Sequence, residues 1–169
     1  MSADVDALLA RMADAEQRLV QHASGPVPSG LTDPDTGGEE RWEAGQVWAH
    51  VAEFPGYWLD QMRVVLAADV EAAVPFGRTK SDAGRLAAIE RERRTAPTEL
   101  LERARSGIAD VSATLQWLPP SAWGRIGAHP TLGPMSIEQI TERFVVAHLE
   151  EHADQLDQLA TGNASAIDP

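Results

Sequence analysis

Two histidines, His148 and His152, stand four residues apart in Phe144-Val-Val-Ala-His148-Leu-Glu-Glu-His152-Ala-Asp-Gln155, a run that reads as helix. At roughly 100° per residue they lie about 40° apart around the axis, one turn apart along it. That geometry suits two imidazole ligands on one divalent metal ion. Phe144, Gln155 and Leu159 fall close to the same stripe, so the stripe is a core-facing seam. Imidazoles aimed into a core need partners, because a buried polar group is costly when unpaired. A metal ion is one such partner and calls for a third ligand from elsewhere. A pair of hydrogen-bonded core histidines is the alternative.

The elements that must position this pair are helical. Val5, Leu8, Leu9, Met12, Ala15, Leu19 and Val20 follow the spacing of an amphipathic helix that stops near Ala23. A flexible loop rich in Gly, Pro, Ser and Asp follows, about 24–42. A second helix starts at Glu43 or Ala44 and carries His50 in its first turns. Pro55-Gly56 interrupts it; proline removes one intrahelical hydrogen bond, so a kink is expected there, not two helices. Ser81 is placed to cap a short polar helix from Asp82 to about Arg94. Its Arg85, Arg91, Arg93 and Arg94 form either a solvated face or paired cations for a carboxylate or phosphate. Thr95 is placed to cap a third long helix from Ala96 to about Trp117, and Pro119-Pro120 ends it. Residues 121–134 read as loop. Ser136-Ile-Glu-Gln139 has the capping-box form that opens a fourth long helix, Ile137 to about Ala160, with Gly162 as its stop and a frayed tail over 162–169. No segment reads as a strand. The expectation is one all-α domain over 1–169: a four-helix bundle with a short extra helix between the second and third long ones.

Composition narrows the function classes. The chain has no cysteine, which excludes disulfides, thiolate metal sites and a cysteine nucleophile. Its formal net charge of −12 argues against nucleic-acid and anionic-membrane partners. The acidic start, Met-Ser-Ala-Asp-Val-Asp, lacks the basic region of a secretory signal, so a cytoplasmic protein is expected.

Three pieces in order, Trp42-Glu-Ala-Gly-Gln-Val-Trp-Ala-His50-Val-Ala-Glu-Phe54, His129-Pro-Thr-Leu-Gly-Pro134 and His148-Leu-Glu-Glu-His152-Ala-Asp-Gln155-Leu156, resemble the DinB-like superfamily. The resemblance implies a four-helix bundle, often homodimeric. It also implies a metal site of three histidines, which by position are His50, His148 and His152. Relatives in that superfamily include thiol-dependent S-transferases and mycothiol-dependent maleylpyruvate isomerases. The implied function is therefore a metal-dependent transferase or isomerase acting on a small electrophile with a low-molecular-weight thiol such as mycothiol. Zinc and nickel both suit three imidazoles. A non-catalytic dimeric binding or stress-response protein of the same fold is the alternative.

Around these ligands, Glu53, Glu151 and Gln155 each lie within a turn of a histidine and can orient an imidazole. Glu53 is also the candidate general base. His129, in a Pro-Gly loop, is a candidate pocket residue, and His22 ends the first helix with no assigned role. The match of His148-Leu-Glu-Glu151-His152 to H-x-x-E-H offers a third reading, a metal-dependent hydrolase with Glu151 as base.

Overall fold

The computed structural model describes residues 4–34, 40–68 and 73–164. Parts of the expected 24–42 loop (35–39) and of the expected tail (165–169) lie outside them. The long elements are α1 (Val5–Ala23), α2 (Ala44–Ala67), α4 (Pro97–Trp117) and α6 (Ala147–Ala164), with the short α3 (Ala83–Glu92) between α2 and α4. The last helix is preceded without a break by α5 (Ile137–Thr141) and a π-helical turn over Glu142–Val146. α2 packs mainly on α4, and α1 packs on α6 and α4. This is the expected bundle of four long helices.

Each helix buries one stripe. Leu8, Met12, Ala15, Leu19 and Ala23 are the buried residues of α1, and Leu100, Leu101, Ala104, Ile108, Val111 and Leu115 are those of α4. α2 buries a broader face, including Val47, Trp48, His50, Phe54, Trp58 and Met62. It runs unbroken through Pro55. α4 comes close to that point because it presents Gly107, where an added Cβ would sit 3.1 Å from Pro55 Cβ.

The ends follow sequence chemistry with small shifts. Asp82, not Ser81, caps α3 by accepting from the Arg85 N–H at 2.8 Å. Thr95 gives its hydroxyl to Glu92, and α4 begins at Pro97 without a side-chain cap. The Ser136–Gln139 box forms in both directions, at 2.9 and 3.2 Å. α6 continues through Gly162 to Ala164.

The expectation of no strands is corrected. β1 (Val74–Pro75) pairs in parallel with β2 (Ile126–His129), which pairs antiparallel with β3 (Gly133–Ser136). Strands of two and four residues, with Gly or Pro in each, are too short for apolar alternation to show. The small sheet ties the segment after α2 to the hairpin before α5, alongside the bundle.

Helix α2 is fixed at its first turn by close backbone contact. A Cβ on Gly45 would lie 2.0 Å from the Arg93 carbonyl oxygen. Elsewhere in a helix, Gly→Ala stabilises by about 1 kcal/mol. Here Gly45→Ala is expected to destabilise by about 1–3 kcal/mol through overpacking. Urea denaturation checks the sign, and a stabilised variant would refute the contact.

Candidate metal centre

His50 leaves α2 one turn before Pro55, and His148 and His152 leave the first turns of α6. The three imidazoles meet. His50 Nε2 lies 2.9 Å from His148 Nε2, and His152 Nε2 lies 3.1 Å from the same atom. One ligand atom from each of the three falls within 4.8 Å of the others. His50 and His152 are buried, at 2% and 3% exposure, while His148 is half-buried.

Each ring is addressed from behind by the residue three positions later. His152 Nδ1 is 2.8 Å from Gln155 Oε1, and His148 Nδ1 is 3.1 Å from Glu151 Oε2. Glu53 Oε2 stands 3.6 Å from His50 Nδ1, beyond hydrogen-bond range, and that nitrogen has no hydrogen-bond partner. A carboxylate only accepts, so the proton of His148 sits on Nδ1. Gln155 Oε1, as assigned, places the His152 proton likewise. The Nε2 lone pairs of His148 and His152 then face one another.

Such an arrangement is relieved by a shared cation or proton. Burial disfavours the proton: it pushes His152 down to about 3, with the neighbouring His148 adding to the effect. His50 is driven well below its ordinary value, by burial first and then by His152 and His148. Four-coordinate zinc at ordinary Zn–N distances separates its ligand nitrogens by about 3.3 Å. The observed separations are within a few tenths of this, so the residues fit a divalent ion.

Aromatic rings hold the cluster. Trp42 stacks on His152 at 5.9 Å and meets His50 edge-on at 5.3 Å, while Phe54 lies 4.7 Å from His148. Trp42 is itself placed by buried Thr32, whose N–H donates to the Trp42 carbonyl at 2.8 Å and whose hydroxyl accepts from the Trp42 N–H at 3.0 Å. A cleft of about 470 Å³ opens onto the imidazoles.

Glu53 is absent from the walls of this cleft. It sits behind His50, where Arg78 Nη2 donates to it at 2.6 Å, and the Arg78 guanidinium lies 3.8 Å from the Tyr57 ring centroid. His129 also lies off the cleft. It stacks on Phe144 at 5.1 Å and meets Phe76 at 5.6 Å, with Nε2 unpartnered. His22 pairs with Asp157 at 2.5 Å on the α1–α6 surface. Sequence reasoning missed Trp58, Phe144, Lys80 and Arg143 as cleft walls. Of the arginines of the short helix, Arg91 and Arg93 pair with glutamates, and Arg85 alone lines the cleft among the described residues.

The lowered histidine values carry a sign. An unfolded chain takes up protons on these rings from about pH 6.5 downward. The folded protein resists protonation until far lower pH, so acid favours unfolding. Metal-free protein is expected to lose melting temperature steadily as pH falls from about 6.5 towards 4. A His152→Met variant should show a shallower decline over that window. An equal slope in a thermal-melt series would contradict the buried neutral state.

A family model described as the DinB superfamily matches residues 2–156. No curated protein matches the sequence. Among solved structures, YfiT from Bacillus subtilis, described as a probable metal-dependent hydrolase with an unusual four-helix bundle topology, is similar at TM-score 0.75 and 19% identity. That match covers 97% of this chain and 90% of YfiT. The mycothiol-dependent maleylpyruvate isomerase is similar at TM-score 0.68 and 12% identity over 90% of this chain, which spans 60% of that protein. An uncharacterised protein from Clostridium difficile 630 is similar at TM-score 0.66 and 8% identity, with 95% of this chain and 98% of that one covered. These likenesses bear on the fold; the family match over nearly the whole chain establishes that this protein belongs to the DinB superfamily.

Proposed function

We propose that this protein is a metal-dependent enzyme that activates a nucleophile against a small electrophile, with His50, His148 and His152 as ligands to one zinc or nickel ion. The observation that carries the reading is the convergence of three imidazoles, two of which, His50 and His152, burial keeps neutral. Three neutral ligands leave a divalent ion its full charge, and an open position on it supplies Lewis acidity and lowers the pKa of a bound nucleophile.

The chain's own residues set the rest. Gln155 and Glu151 fix two imidazole orientations, and Glu53, held by Arg78, faces the third. Glu53 is thus read as a positioning residue for His50, since it stands off the cleft. Trp42 and Phe54 exclude water from one side of the cluster, while half-buried His148 faces the cleft. Access from a cleft favours chemistry over a purely structural role.

A low-molecular-weight thiol such as mycothiol is the proposed nucleophile, which makes the reaction an S-transfer or a thiol-dependent isomerisation. Water is the second reading, favoured by the fuller coverage of YfiT, whose description names a hydrolase. Incubating metal-loaded protein with a thiol panel plus a generic electrophile, and separately with activated esters, distinguishes the two. No metal-dependent turnover in either arm would remove the enzymatic reading.

Metal binding has its own checks. Elemental analysis of loaded, untagged protein should find about one ion per chain, by one ion per three-histidine site. Each of His50→Ala, His148→Ala and His152→Ala should abolish it. Metal in excess by about a thousandfold over Kd should stabilise the fold by about 4 kcal/mol. Glu53→Gln should weaken metal affinity by about 10–100-fold, the range for a partner that orients a ligand. Unchanged affinity in that variant would dismiss the positioning role.

A further inference from the structure

The sequence has a formal net charge of −12, with 14 lysines and arginines against 26 acids. Even so, Arg78, Lys80, Arg85 and Arg143 all line the cleft that opens onto the histidines. Among the described residues only two acids, Glu40 and Glu151, line it with them. Lys80 is the single lysine of the sequence.

Arg85 is the most informative of the four. It is 7% exposed, and among its contacts Nη1 donates to the Lys80 carbonyl at 2.8 Å and the guanidinium carbon lies 5.0 Å from the Trp42 ring centroid. Trp42 is the ring that stacks on His152. The planar fork of a guanidinium suits carboxylate and phosphate oxygens. Arg143 is exposed on the π turn, next to Phe144. Phe144 and Trp58 stack at 4.1 Å with planes 9° apart and give the cleft a flat apolar wall.

We propose that the cleft recognises a small molecule through an oxyanion group, a carboxylate or phosphate, with Arg85 as the planar fork, Arg143 and Lys80 at the mouth, and the carbon skeleton against Trp58 and Phe144. This names the ligand class of the cleft described under the proposed function. It rests on side-chain charge and shape, so it can be tested without the metal.

The test is calorimetric titration of metal-free protein at low salt with succinate, inorganic phosphate and the neutral diamide succinamide. At least one anion should bind, the diamide should not, and added salt should weaken the binding. Succinate or phosphate binding alone identifies the carboxylate or the phosphate as the group recognised. Arg85→Met should weaken the anion about tenfold or more, the effect of losing a charge-assisted hydrogen bond. Because Arg85 is buried, the exposed-residue variants Arg143→Gln and Lys80→Gln provide a second measurement and should each weaken binding. Bound anion should also slow acetylation of Lys80, read by mass spectrometry. Equal binding of diamide and anions, no binding of either anion, or wild-type affinity in all three variants would overturn the proposal. Anion binding by a protein that takes up no metal would sink the metal reading and leave this one standing; the opposite result would do the reverse.

Discussion

Three imidazoles that converge in a largely buried cluster are the constraint around which this molecule is arranged. Burial keeps His50 and His152 neutral. Acceptors three residues on fix the Nδ1 protons of His148 and His152, which leaves lone pairs on the inner side. Two lone pairs about 3 Å apart repel, so the geometry is unfavourable by itself and is held by the surrounding packing. Sites of this kind take their stability from the scaffold and return it only when a ligand binds.

The scaffold meets that demand by bringing backbones unusually close. His50 and His148 are separated by 98 positions, so their meeting depends on how α2 sits against the rest of the bundle. Two glycines set that seat: Gly45 admits the Arg93 carbonyl, and Gly107 lets α4 approach Pro55. Pro55 is buried at that contact, and α2 runs through it. On the other side, Arg11 bridges Glu142 and Glu150, and Arg18 pairs with Asp154 and Asp157, tying α1 to the helix that carries the other two ligands. Surface pairs of this kind contribute about 1 kcal/mol or less each, so they orient the helix more than they stabilise the fold.

Much of this was legible, and the misses have physical causes. The spacing of His148 and His152 was enough to predict a shared face, and the helices followed from apolar periodicity and the Ser136–Gln139 box. The partner pattern is also local: Glu53, Glu151 and Gln155 each follow a histidine by three positions. His50 entered through family resemblance alone, because nothing between Trp42 and Phe54 states which face of α2 meets α6. The π turn over Glu142–Val146 leaves no mark on hydrophobic periodicity. Its nearest local sign is Thr141, whose hydroxyl donates to the Ile137 carbonyl at 2.8 Å, a competition that loosens helices. Arg85 could not be told from Arg91 or Arg93 in sequence, since all lie on one polar helix and only the fold decides which faces the cleft.

The distribution of charge bears on how such a site would be filled. An acidic surface draws divalent cations towards the protein and repels small anions, but both effects fade beyond about 10 Å at moderate salt. Neutral imidazoles add no charge of their own, so a captured ion would keep its full attraction for a negative partner. Within the cleft the balance reverses: among the described residues Lys80, Arg85, Arg143 and the Glu53-paired Arg78 face Glu40 and Glu151. There the walls are partly dry, and charge–charge interactions are several times stronger than in bulk water. Long-range repulsion therefore slows the approach of every anion alike, while short-range attraction rewards only those whose shape reaches Arg85. On the proposed anion recognition, the acidic exterior and the cleft would work together as a filter, one that trades speed of capture for selectivity at the imidazoles.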